Sequence, residues 1–237
     1  MTTTATTFHG FQPAALQFLL ELRANNDRAW FQPRKGEYER LLKEPLEALC
    51  VALGERFAAR GIPLRADARS PFRIYRDVRF SKDKSPYKTH VSASFPWAPE
   101  GGPALSRSRT ESVHHVGGYF HFEPDEGYVG GGMWHPDRPR LDAWRALVAK
   151  DPKRVKAAIT DRAFVKEFGD VGGERLVRVP PGYSAEDPNA ELLKLKDVTF
   201  GRRVSDEEVL SPDLPDILTD AFARAMPVLR LLASLHA

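Results

Sequence analysis

The sequence is short of several things whose absence narrows its chemistry. It has one cysteine in 237 residues, so an intramolecular disulfide and a cysteine metal cage are both excluded. It has no run approaching the roughly 18 apolar residues of a membrane span. The first residues, Met1 to Thr7, are mostly threonine with neither a basic start nor an apolar run, so they do not read as a secretory signal. A cytoplasmic location is the default expectation. There is no P-loop, no G-x-G-x-x-G and no G-x-S-x-G, so nucleotide binding of those kinds and serine-hydrolase chemistry lack support. His114, His115, His121, Glu123 and His135 lie close in sequence, but neither H-E-x-x-H nor H-x-H spacing occurs. No metal site and no cofactor is expected.

What is present is ordinary globular usage, 42% hydrophobic and 28% charged, which excludes global disorder and fibrous repeats. The formal net charge is +3 and the pI about 9.0. Between Arg69 and His90, seven Lys or Arg face two Asp, a local +5 that leaves the rest of the chain at −2. Basicity is therefore a local feature, and a concentrated basic patch favours an anionic ligand. Arg outnumbers Lys 24 to 11, so part of this richness is compositional.

The first quarter reads as helical. Pro13 suits a first turn, followed by Leu16, Leu19, Leu20 and Leu22. Asp27 caps a short helix carrying Trp30 and Phe31. A longer pattern runs from about Lys35 to Arg60, kinked or divided at Pro45 and stopped by Gly61 and Pro63. Cys50 shares a helical face with Leu46, Leu49 and Leu53 and reads as a core thiol. Phe72 to Phe80 alternates with period two like a half-buried strand, His90 to Trp97 is strand-like, and 98–115 reads as a mobile loop, a candidate lid. Gly117 to Phe122 and Tyr128 to Trp134 flank Pro124-Asp125-Glu126-Gly127 as a hairpin. Asp151-Pro152 opens a helix, Phe164 to Phe168 ends one at Gly169, and Val198 to Val204 could be a strand. Ser205 to Glu208 has capping-box form, and a last helix from Pro212 or Pro215 runs to about Leu235. These elements predict one α+β domain over 11–237 behind a disordered tail of 1–10. Its antiparallel sheet has a central hairpin backed by helices from the N- and C-terminal parts of the chain.

Two places could carry chemistry. In the alternating run, Arg73, Tyr75, Asp77 and Arg79 share one face, a row able to hold a phosphate or carboxylate with Asp77 orienting an arginine. Arg76 falls on the apolar face and needs an acidic partner there. Arg73, Arg79 and Lys84 would hold the anion and Tyr87 would hydrogen-bond it. The competing reading makes this row an internal ion-pair network. In the hairpin, a turn centred between Asp125 and Glu126 pairs Glu123 with Tyr128, His121 with Gly130 and Tyr119 with Gly132. This leaves a shelf of Tyr119, His121 and Glu123 beside the open positions Gly130 and Gly132, with His121 the acid/base candidate. A helix packed on that space is the alternative.

The spacing R-x-x-R-D-x-R-F-x-x-D-K-x-x-Y, carried by Arg73, Arg76, Asp77, Arg79, Phe80, Asp83, Lys84 and Tyr87, resembles the signature of the bacterial Domain of Unknown Function 2461 family. Asn25 to Phe31, Phe120 to Pro124 with Gly130 to Gly132, and Leu195-Lys196-Asp197 onward are similar to it as well. The resemblance spans Phe11 to Leu232. It implies one compact domain and supplies no reaction. The leading expectation is a pocket for a small anionic ligand, in an enzyme or a binding protein. A nucleic-acid binder using Tyr75, Tyr87, Arg107 and Arg109, and a partner-binding module with internal arginine pairs, are the alternatives. No membrane contact is expected, and the sequence leaves the oligomeric state open.

Overall fold

The computed structural model describes residues 7–79, 81–98 and 116–235. Helix α1 (Pro13–Ala24) opens on its proline. The Asp27 carboxylate then accepts the Trp30 N–H at 2.8 Å and starts α2 (Arg28–Tyr38). This helix absorbs the beginning of the pattern expected from Lys35. Pro45 lacks an N–H, and the chain adapts with a π turn (Glu39–Lys43) just upstream before α3 (Glu44–Ala59). The proline thus widens the helix instead of breaking it. Within the stretch 1–10 expected as a tail, Phe8 is buried edge-on against Phe11, which in turn packs on Phe122.

Strands β1 (Val91–Pro96), β2 (Gly117–Phe122), β3 (Gly127–Met133) and β4 (Val198–Val204) form one antiparallel sheet in that order. Helices α4 (Arg138–Lys150), α5 (Pro152–Ile159), α6 (Arg162–Phe168) and α7 (Ala190–Leu193) come between β3 and β4. Helices α8 (Asp206–Leu210), with its Ser205–Glu208 capping box, and α9 (Leu214–Ala233) close the chain. Phe57 of α3, Phe95 of β1 and Phe222 of α9 meet edge to face at 5.5–5.9 Å, and Phe164 and Phe168 of α6 pack on Phe200. These contacts bury one sheet face under helices from both ends of the chain, the α+β arrangement expected. No helix among the described residues is long and apolar enough to cross a membrane.

Two expectations are corrected here. Phe72 to Arg79 is not a ladder strand. Pairing here is confined to isolated bridges, Pro71 with Ala93 and Tyr75 with Tyr87, and Pro86 accepts the Arg76 N–H but has no N–H to return. The period-two burial survives nonetheless, with Ile74 buried and Arg73, Tyr75, Asp77 and Arg79 exposed. The hairpin register also slides by two residues, to His121 with Tyr128, Tyr119 with Gly130 and Gly117 with Gly132. Pro124 takes the second position of a turn closed by Glu126 N–H to the Glu123 carbonyl at 3.0 Å. Asp125 follows with φ 64, the type II geometry, so the turn centre moves one residue earlier. An even slide leaves the faces unchanged.

The hairpin glycines have a structural reason. Gly132 has φ +123, and a Cβ there would collide with the Val198 carbonyl oxygen of the neighbouring strand. Gly132→Ala should cost about 3 kcal/mol in urea unfolding. A loss under ~0.5 kcal/mol, the size of an ordinary surface substitution, would show that the strands do not approach this closely.

Candidate functional site

The sheet face turned away from the helices lines a cleft of about 570 Å³. Its rows follow from the register. Ser92, His121 and Tyr128 stand across one end, Ser94 and Tyr119 next, then Pro96, Gly117, Gly132 and Thr199. Phe72 and Lys88 flank it on the β1 side, and Trp134 lies beyond β3. A second cleft of about 490 Å³ carries Arg23, Asn26 and Arg76, and the two share Lys88 and His90.

Asn26 fixes this junction. Its side-chain amide donates to the Tyr87 carbonyl at 3.0 Å and accepts the Tyr87 N–H at 3.1 Å, as a neighbouring strand would. Lys88 N–H meanwhile donates to the Ile74 carbonyl. The Lys88 ammonium lies 5.1 Å over the Phe72 ring and pairs with no carboxylate among the described residues. Burial, with the nearby charge of Arg73, pulls its pKa below the ordinary lysine value.

Next to it, burial first and then the charges of His121 and Lys88 push the His90 pKa down to about 4. His90 is neutral at pH 7, so its 3.9 Å approach to Glu123 is not an ion pair. His121 Nε2 sits 2.9 Å from the Glu126 carbonyl oxygen. A carbonyl can only accept, so Nε2 carries the hydrogen and Nδ1 is the nitrogen left over. The imidazole stacks on Tyr128 at 5.5 Å and lies 5.4 Å from His90. Burial raises the pKa of both Tyr119 and Tyr128.

The pH consequence of His90 has a definite sign. Its folded pKa lies below the unfolded value of 6.5, so the unfolded chain takes up the proton first as pH falls. Stability should drop between pH 6.5 and about 4 and be fully reduced below that. The drop is on the order of 2 kcal/mol after allowing for the ring's partial exposure. Thermal melts of wild type and His90→Gln should differ in this acid limb. Identical limbs would mean that His90 titrates freely.

The expected ligand residues separate. Tyr119, His121 and Gly132 line the sheet cleft, and Arg76 lines the neighbouring one, paired with Asp83 as its position required. Glu123 is nearly buried beside His90. Gly130 is not open, because the Tyr128 ring lies across it and Gly201, its hydroxyl donating to the Phe200 carbonyl at 3.1 Å. Arg79 and Asp77 form an exposed pair at 2.7 Å, in which the Arg79 hydrogen bonds pull the Asp77 carboxyl down to about 2. Lys84 donates to the Val78 carbonyl at 2.9 Å, and Arg73 is exposed. None of these four lines either cleft. Tyr87 lines the second cleft as a wall residue, 1% exposed and stacked on Phe31 at 4.1 Å. Arg107, Arg109, His114, His115 and nearly all of the 98–115 loop lie outside the described residues.

Sequence reasoning missed Lys88, His90, Asn26 and Trp134 as site residues. Lys88 was visible only as one cation among seven. Among the described residues there is no cluster of three or more His, Cys, Asp or Glu able to hold a metal.

A helix-backed antiparallel sheet with a basic-edged cleft on its open face defines an α+β protein with one concentrated candidate site. The chain belongs to the family described as conserved hypothetical protein (DUF2461), whose model matches residues 14–230. No curated protein and no solved structure matches it.

Proposed function

We propose that the protein binds a small anionic ligand, bearing phosphate or carboxylate, with its charged group against Lys88 where the two clefts meet. The supporting observation is the half-buried Lys88 side chain, whose ammonium lies over the Phe72 ring where the two clefts meet and has no acidic partner among the described residues. Holding a cation there without a counter-charge costs free energy that a bound anion returns. Arg23 and Arg76 add positive charge on the second cleft, where Asp83 is the acid on the wall. Lys84, which donates to the Val78 carbonyl, and Arg79, paired with Asp77, lie outside both clefts. In this reading His121 is the acid–base group, with Nδ1 as the nitrogen that exchanges a proton.

Thermal melts of the wild type with inorganic phosphate, sugar phosphates, tricarboxylates and single-stranded DNA, at low and moderate salt, test the reading. A ligand specific to the folded state raises the melting temperature by mass action. A shift with a small anion that survives moderate salt is expected. A shift with DNA alone, lost as salt rises, would replace the reading with nucleic-acid binding through counterion release.

A further inference from the structure

The cleft that meets Lys88 is far larger than a phosphate or carboxylate group, and its walls change character along its length. At the Lys88 end stand His90, Ser92 and His121. Four residues further along β1, about 13 Å at the rise of an extended strand, the wall is Pro96 with Gly117 and Gly132 in register beside it. Gly117 and Gly132, the cleft-facing positions of β2 and β3 at this end, carry no side chains, so the floor there is flat, while Gly118 and Gly131 face the helices and add only backbone.

Trp134 stands at the same end. It is 49% exposed, and of the large apolar side chains exposed among the described residues (Leu20, Tyr75, Trp134, Val165 and Val177) it alone lines this cleft. The chain next to it is tied down. The following residue, His135, has φ 45, a conformation most residues avoid, and its N–H donates at 2.5 Å to the buried carboxylate of Asp197. Its imidazole meets the indole edge-on at 4.1 Å. An indole half in water beside a flat floor is a surface for stacking.

Resting on the anion reading above, we infer that the ligand is an aromatic anion, its charged group at Lys88 and its ring on the glycine floor against Trp134. Both ends of the cleft are then used, and the ring covers the exposed indole.

Isothermal titration with inorganic phosphate, 5-phenylpentyl phosphate and 5-cyclohexylpentyl phosphate, whose chains let the ring reach across the roughly 13 Å between the two ends, tests this on the full chain. The phenylpentyl compound should bind about tenfold more tightly than its cyclohexyl analogue, the scale of one aromatic contact. Trp134→Ala should remove that gain, with an unchanged far-ultraviolet circular dichroism spectrum showing that the variant is folded. Lys88→Met should weaken all three. Inorganic phosphate binding that depends on Lys88, with no gain from the phenyl ring, would overturn the aromatic assignment alone. An equal gain from the cyclohexyl ring would do the same. Absence of binding by any of the three would overturn both this inference and the anion reading.

Discussion

Lys88→Met should weaken anion binding sharply while leaving the protein as stable as before or more so. Methionine keeps an unbranched apolar stem over Phe72 and deletes only the ammonium, which has no carboxylate partner among the described residues. A hydrogen bond to a charged group contributes about 1.5–3 kcal/mol, so affinity for a small anion should fall roughly ten- to hundredfold. The unliganded fold should gain up to about 1 kcal/mol, since the cation is only half buried. Because burial lowers the Lys88 pKa, the penalty is present at neutral pH. It fades as pH rises from the folded towards the unfolded pKa, where the unfolded chain holds the proton that the native state has lost. The two proteins should therefore converge in stability at alkaline pH. A variant that melts lower than wild type and binds anions equally well would mean that Lys88 is structural.

Tyr87→Ala should cost about 3–5 kcal/mol, the usual loss on emptying a buried aromatic site. The ring is 1% exposed, stacks on Phe31 at 4.1 Å and lies 5.5 Å from Tyr75. Tyr87→Phe keeps that packing and should stay within about 1 kcal/mol of wild type in urea unfolding, with anion affinity unchanged. A hydroxyl that contacts ligand predicts the reverse, with stability kept and affinity lost in Tyr87→Phe. The two variants together separate a motif residue that builds the site's wall from one that touches what the site holds.

Local signals in the sequence proved readable. Asp27, Asp151 and the Ser205–Glu208 box start helices as their side chains dictate, since capping is settled within one turn of chain. The alternating burial of Phe72 to Arg79 was legible too, although the ladder it implied is reduced to isolated bridges. The hairpin register was missed because Pro124 and a left-handed Asp125 set the turn, and nothing in alternation alone shows where a turn is centred.

The site was harder to read for a related reason. Which cation keeps an acid partner is decided by folding: Arg76 finds Asp83 seven residues away and Arg79 finds Asp77, while Lys88 is carried under Phe72 by a backbone that Asn26 holds from 61 residues distant. Tyr87 reads as a polar-tipped ligand residue until Phe31 is seen against its face. Trp134 gains its meaning from the strained His135 and the remote Asp197.

The most direct test of the central claim is an NMR titration of the Lys88 ammonium in lysine-labelled protein, without and with inorganic phosphate. The account predicts a pKa below the ordinary lysine value in the free protein, rising when phosphate is added as the anion stabilises the charged form. A Lys88 that titrates like a solvent-exposed lysine, with no response to phosphate, would contradict it.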